Sequence, residues 1–209
     1  MAEVKHRCRL YFQCPAQVSA KLEAQLAHVI ASTDAACVLL GVDNQTTDEI
    51  HAGRVIDLVH ARGIACLVRN DVALAETLGA DGVHIAGDPA DYAEARKRLG
   101  ESASIGADCG LDRHRTMLLA ELGADYVAFG PAGGDIDTIN QCAELIAWWS
   151  EIFVVPCVAW DVLGPEEAAR FAALGADFVA PSASLWHDDD APNLIAAIGS
   201  AIRQARRAA

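Results

Sequence analysis

One short phrase, Leu-Gly-Ala-Asp followed by an apolar run, occurs three times and constrains the fold more than any other feature of the chain. The copies begin at Leu78, Leu122 and Leu174. Each follows a segment with helical periodicity and precedes a short apolar segment typical of a buried strand. Glycine just past a helix adopts the left-handed conformation cheaply, and alanine and aspartate then lead into the strand. The spacings, about 44 and 52 residues, each span more than one helix and strand and predict an α/β repeat architecture.

The rest of the chain continues this alternation. Strand-like segments, each followed by a helical pattern, lie at residues 9–13, 37–42, 64–68, 82–85, 104–107, 126–129 and 154–159 and from Val179 onward. Eight such units in 209 residues predict one domain, residues 1–209, folded as a compact (β/α)8 TIM barrel. An open doubly wound sheet is the alternative, but no G-x-G-x-x-G sequence follows the first strand.

Composition excludes several classes of protein. Sixteen Lys and Arg against 29 Asp and Glu give a net charge of −13, which argues against general binding of nucleic acid or an anionic membrane surface. No apolar run approaches the roughly 18 residues that cross a bilayer, so we expect a cytoplasmic protein. The seven cysteines form no C-x-x-C pair and are expected to be buried free thiols. Association into a homo-oligomer is left open.

In a barrel of this type the residues just after each strand line one mouth, where ligands bind. The three Leu-Gly-Ala-Asp phrases lie at the opposite end and are expected to be structural. Because six aspartates fall in the mouth set, the sequence predicts an opening that is crowded with carboxylates and short of positive charge. The set comprises Asp43, Asn44, Asn70, Asp71, His84, Gly87, Asp88, Asp108, Gly130 to Gly134, Asp135, Trp160, Asp161, Ser182 and Ser184.

Several of these segments also carry a family resemblance. Arg69-Asn70-Asp71, the phrase that ends in Gly82-Val83-His84, and the run from Gly123 to Pro131 are similar to the thiamine phosphate synthase family, whose superfamily includes thiazole tautomerases. The resemblance covers most of the chain in order and spacing. It implies a barrel of thiamine biosynthesis that joins hydroxymethylpyrimidine diphosphate to thiazole phosphate and releases pyrophosphate. It also implies a small phosphorylated substrate, and Mg²⁺ that holds the diphosphate.

The resemblance also assigns roles to individual residues. Asp71 and Asp88 correspond to metal ligands, although each also stands where an aspartate would cap a helix. His84 is the candidate general acid or base, and a histidine that only makes hydrogen bonds is the alternative. Gly133 and Gly134 would hold an anion through backbone N–H groups, or form a turn. The candidate substrate-binding residues are Asn70, Gly130, Gly133, Gly134, Ser182 and Ser184.

The chain departs from the family pattern where phosphates would bind. Strand two of the family carries cations, but this chain has Leu39 to Asp43, and Trp160-Asp161 replaces a Gly-Gly pair after strand seven. Phosphates need cations or N–H donors at close range, and uncompensated like charges cost about 1 kcal/mol per pair in water. Two alternatives therefore accompany the transferase: a thiazole tautomerase-like isomerase, and a non-catalytic ligand- or partner-binding barrel with a degenerate active site.

Overall fold

The structure, a computed structural model, describes residues 7–41, 49–131 and 133–205. Eight parallel strands close into a barrel in chain order, and the first strand pairs with both the second and the eighth. The predicted (β/α)8 fold is therefore confirmed. The strands are β1 (Arg9–Gln13), β2 (Ala35–Leu40), β3 (Ala65–Arg69), β4 (Gly82–Ile85), β5 (Ser104–Asp108), β6 (Tyr126–Phe129), β7 (Cys157–Val162) and β8 (Phe178–Pro181).

A helix follows each strand and packs its apolar side on the outside of the barrel. Several predicted strand boundaries differ from the observed ones by one to three residues. The β2 strand begins at Ala35 rather than at Cys37, and β7 begins at Cys157 rather than at Val154, whose side chain is 99% exposed. Pro156 has no N–H to donate to a neighbouring strand. The helices are α1 (Ala20–Ser32), α2 (Glu49–His60), α3 (Val72–Leu78), α4 (Pro89–Leu99), α5 (Arg113–Glu121), α6 (Ile136–Ile152), α7 (Pro165–Ala173) and α8 (Ala191–Gln204), and a short 3₁₀ helix (Ala183–His187) precedes α8.

The inside of the barrel is a packed core rather than a channel. Alternate residues along each strand point inward, and a glycine at position 106 gives the Tyr126 ring its space: a Cβ there would lie 1.8 Å from the ring carbon Cζ. The aromatic side chains are therefore held tightly. The buried interior cluster consists of Tyr11, Cys37, Leu39, Leu67, Tyr126, Ala128, Val158, Trp160 and Ala180.

The aspartate of each repeated phrase joins two strands at the amino-terminal end of the barrel. Its backbone N–H donates to the carbonyl of a residue near the start of the preceding strand, and its carboxylate accepts the N–H of that same residue. The phrase glycines have positive φ angles of 66°, 99° and 102°. The predicted structural role is therefore confirmed. The pairs are Asp81 with Cys66, Asp125 with Ile105 and Asp177 with Cys157, with oxygen–nitrogen distances of 2.7, 2.7 and 2.8 Å.

Two expectations about the whole chain can be compared with the structure. All seven cysteines are buried and unpaired with one another, as predicted, and burial raises the pKa of the Cys14 thiol to about 12. Among the described residues, no helix is both long enough and apolar enough to cross a membrane.

Candidate functional site at the carboxyl ends of the strands

A pocket of about 510 Å³ opens at the carboxyl ends of the strands, a size that suits a small molecule. It lies where the mouth was predicted, and residues at or just after the ends of β1, β3, β5, β7 and β8 contribute to it. Its lining residues are Gln13, Cys14, Pro15, Ala16, Gly41, Arg69, Asp108, Pro131, Trp160, Asp161, Ser182, Ala183 and Ser184.

Arg69, the last residue of β3, places a guanidinium in this pocket. Its Nη2 donates to Gln13 Oε1 at 2.9 Å, and its Cζ lies 5.3 Å from the centroid of the Trp160 ring. Its Nε is buried without an acceptor, and no carboxylate of the described residues lies within ion-pair distance of the guanidinium. A partly buried cation without a counterion is costly unless a ligand supplies the negative charge.

Arg69 therefore places one cation in a mouth that we expected to be short of positive charge, and it was not among the predicted site residues. Its position could have been inferred from the strand pattern. Leu67 belongs to the barrel interior, and side chains two apart on a strand share a face. Arg69 therefore had to point toward the barrel axis at the open end of β3.

Beneath the pocket floor, a chain of buried polar groups continues into the barrel. The Nδ1 of His84 lies 2.9 Å from the Tyr126 hydroxyl, which lies 2.7 Å from the Tyr11 hydroxyl. The imidazole stacks on Trp160 with centroids 4.4 Å apart and planes 5° apart. Burial, assisted by the charge of Arg69, lowers the pKa of His84 to about 3, so its ring is neutral at pH 7. His84 does not line the pocket, whereas Trp160 does.

Three aspartates of the predicted mouth set cap helices instead of lining the pocket. Each carboxylate accepts a backbone N–H in the first turn of the following helix: Asp71 from Leu74 at 2.8 Å, Asp88 from Ala90 at 2.7 Å and Asp135 from Thr138 at 2.9 Å. Asp43 and Asn44 lie outside the described residues. Of the predicted aspartates that the structure describes, Asp108 and Asp161 line the pocket.

The two carboxylates that the resemblance assigned to magnesium act as helix caps in the structure. Asp71 and Asp88 are absent from the pocket lining, and each has an oxygen engaged by a helix N–H. In the described ranges, no three His, Cys, Asp or Glu side chains come together as a metal site. Because Mg²⁺ is usually held by one or two carboxylates together with substrate phosphates and water, a magnesium role for these aspartates stays a prediction.

The two carboxylates that remain in the pocket have distinct surroundings. Burial raises the pKa of Asp108, while a hydrogen bond from the Gly110 N–H at 3.0 Å and the charges of Arg69 and Arg115 oppose that rise. Asp161 has a φ angle of 64°, an uncommon backbone conformation for a residue other than glycine. Strained backbone of this kind often occurs at ligand sites, where the surrounding structure holds it in place.

Of the predicted substrate-binding residues, only the two serines line the pocket. Their hydroxyl oxygens lie 2.9 Å apart, and the Ser184 N–H also donates to Ser182 Oγ. Gly133 has its N–H committed to Asp161 O at 3.0 Å. The residues that the structure places outside the lining are Asn70, Gly130, Gly133 and Gly134.

Fold and pocket together define a (β/α)8 barrel whose ligand site lies at the carboxyl ends of its strands. The family model described as thiamine monophosphate synthase matches residues 10–185, and the chain belongs to that family. The thiamine-phosphate synthase of Erythrobacter litoralis is 33% identical over 199 residues, which cover 91% of this chain and 93% of the relative. That of Rhodospirillum centenum is 36% identical over 191 residues, which cover 88% and 92%.

Solved structures support the same architecture. The thiamine phosphate pyrophosphorylase of Pyrococcus furiosus superposes with a TM-score of 0.78 over 97% of this chain and 99% of that one. A 3-hexulose-6-phosphate synthase of Salmonella typhimurium gives 0.70 over 95% and 100%. Identities of 16% and 17% limit these two likenesses to the fold.

Proposed function

We propose that this chain carries out the reaction of its family, the transfer of a hydroxymethylpyrimidine group from its diphosphate to thiazole phosphate. Relatives at 33% and 36% identity over most of the chain bear the name thiamine-phosphate synthase. The structural observation that carries the proposal is the guanidinium of Arg69, which has no counterion among the described residues and lines the mouth pocket. Such a cation is what a phosphorylated substrate requires.

The chemistry of this transfer suits the environment of the pocket. The bond between the pyrimidine methylene carbon and the diphosphate oxygen breaks, its electron pair leaves with pyrophosphate, and the carbon bonds to the thiazole. Because the leaving group is already anionic, the site must stabilise negative charge rather than transfer a proton. We therefore assign His84, a neutral imidazole that supports Trp160 and Tyr126, a positioning role.

Pyrophosphate release from the two purified substrates, measured with and without Mg²⁺, tests the proposal. The wild-type chain should release pyrophosphate, Arg69→Gln should lose at least about tenfold in rate, and Arg115→Gln should keep its rate. Arg115 is the matched control because it is an exposed arginine near Asp108 that does not line the pocket. Release no faster than in a protein-free blank would reject transferase activity.

A second candidate is a barrel that binds a phosphorylated ligand without transforming it. It is favoured by the end of β2. The resemblance implied phosphate-binding cations there, whereas this chain has the fully buried Leu39 and Leu40. The expected result is then a higher melting temperature with thiazole phosphate and no pyrophosphate release, because a ligand that binds the folded state stabilises it. A tautomerase would need a proton acceptor in the pocket, and Asp108 and Asp161, rather than His84 beneath Trp160, are the groups positioned to serve as one. A cytoplasmic location and a homo-oligomer stay predictions.

A further inference from the structure

We propose that Arg69 and Gln13 form a direct binding site for one phosphate group, that of the monophosphorylated substrate, with no metal ion between protein and phosphate. This inference rests on the proposed function, since it names the substrate group that the mouth pocket recognises. The pair stands on β3 and β1, whereas the resemblance placed the phosphate-binding cations on β2, so this chain would use its own recognition residues.

Unused hydrogen-bond donors are the basis of the assignment. Of the five N–H groups of the Arg69 guanidinium, one has an acceptor among the described residues, the Oε1 of Gln13. Gln13 is 3% exposed, and its amide nitrogen is buried without an acceptor. Buried donors in folded proteins are nearly always paired, so several unpaired donors on two neighbouring side chains at one pocket indicate a ligand rich in acceptors. Phosphate oxygens are such acceptors, and a guanidinium fork matches their geometry.

The floor of the pocket holds this pair in place. The guanidinium lies over the Trp160 ring, and the imidazole of His84 stacks on the same ring. His84 is in turn bonded to the Tyr126 hydroxyl. A neutral imidazole is compatible with a nearby cation, and the packed aromatic rings restrict the movement of the guanidinium. The cation is therefore preorganised, which reduces the entropic cost of binding an anion.

The donor set favours one phosphate group at this position. Arg69 is the cationic side chain among the lining residues, and Asp108 and Asp161 share the pocket with it. A single guanidinium fork matches the oxygens of one phosphate group. Asp71 and Asp88, the carboxylates that would recruit a metal, do not reach the lining.

Calorimetric titration of the full chain with inorganic phosphate and with thiazole phosphate, in EDTA and again in Mg²⁺, tests the inference. Wild type should bind both ligands, and the dissociation constant of each should agree within about twofold between the two buffers. A contribution of about 1.4 kcal/mol from the metal would instead change it about tenfold. Arg69→Gln should weaken binding at least about tenfold, because a hydrogen bond to a charged group is lost. Gln13→Leu should weaken it by a smaller factor, and Arg115→Gln, which removes the same charge, should not weaken it.

Each other outcome overturns the inference: no phosphate binding by the wild type at millimolar concentration, binding only with Mg²⁺, unchanged binding by Arg69→Gln, or an equal loss in Arg115→Gln. Circular dichroism tests whether each variant is folded. If Arg69→Gln does not fold, the comparison of phosphate binding between wild type and Gln13→Leu decides the question. The two proposals fail separately. Phosphate binding through Arg69 without pyrophosphate release overturns the transferase alone, whereas pyrophosphate release with phosphate binding independent of Arg69 overturns this inference alone.

Discussion

The imidazole of His84 lies nearly parallel to the indole of Trp160, with ring centroids 4.4 Å apart. Both side chains are at least 95% buried, and the Tyr126 hydroxyl fixes the orientation of the imidazole. A histidine in this position is a rigid packing element whose charge is suppressed, and its effect on stability should depend on pH.

That pH dependence is the first prediction. The folded-state pKa of His84, about 3, lies below the ordinary value of 6.5, so between these values the unfolded chain binds a proton that the folded chain rejects. The contribution is therefore fully present above pH 6.5 and is lost as pH falls toward 3. Relative to His84→Gln, the wild type should lose up to about 1.4 kcal/mol more per pH unit in urea unfolding between pH 6 and pH 4. Parallel stability curves for the two proteins would contradict the lowered pKa.

Replacing Arg69 with methionine should stabilise the protein. Because the guanidinium is partly buried and has no counterion in the described part of the chain, Arg69→Met removes a desolvation cost larger than the one hydrogen bond and the ring contact that it loses. We expect the free energy of unfolding in urea to rise by about 1 kcal/mol. Arg115→Met, at an exposed site, should change it by less than about 0.5 kcal/mol. A clear loss of stability in Arg69→Met would show that the cation is well compensated.

Asp125→Ala should destabilise the base of the barrel. The substitution removes the carboxylate that accepts the Ile105 N–H and that also pairs with Arg96 Nη2 at 2.6 Å, and we expect a loss of about 2 kcal/mol for a hydrogen bond to a charged group. For a chain of this size the melting temperature should fall by about 4–8 °C. Glu121→Ala, at an exposed position that precedes the same phrase, is the control and should shift melting little. Equal shifts in both variants would assign the effect to surface charge rather than to the strand contact.

Gly106→Ala should disturb the barrel interior because its methyl group would overlap the Tyr126 ring. Overpacking of this kind costs about 1–3 kcal/mol. Gly53→Ala in α2 is the opposite case: nothing lies within 4 Å of its added Cβ, and it should gain about 0.5–1 kcal/mol from helix propensity. Urea unfolding measures both variants. In the double variant Gly106→Ala/Tyr126→Leu, the smaller side chain at position 126 should relieve part of the stability loss caused by Gly106→Ala. Strictly additive losses of unfolding free energy would argue against the contact.

The fold could be predicted from the sequence because its signals are local. The three Leu-Gly-Ala-Asp phrases combine a helix end, a left-handed glycine and a strand start within a few residues, and the structure contains each of these features. Strand boundaries are less local. The error at β7 arose because the apolar sequence from Val154 reads as strand, whereas pairing with β6 begins at Cys157.

The site was harder to predict because the position of a residue after a strand does not reveal where its side chain points. Asp71, Asp88 and Asp135 do follow strands, but each carboxylate turns back to cap its own helix. The contact between Arg69 and Gln13 spans 56 positions and depends on the register of three strands. Burial of His84 beneath Trp160 likewise requires the barrel to be closed, since these residues belong to β4 and β7.

The strand contacts made by Asp81, Asp125 and Asp177 at the amino-terminal end of the barrel affect how its sequence can change in evolution. Three carboxylates tie β3 to β4, β5 to β6 and β7 to β8 far from the ligand opening, so these strand contacts do not depend on which side chains surround the ligand. We therefore expect substitutions around the opening to accumulate without loss of folding. Because stabilising contacts and ligand-lining residues lie at opposite ends of the barrel, ligand specificity can evolve while the fold is retained.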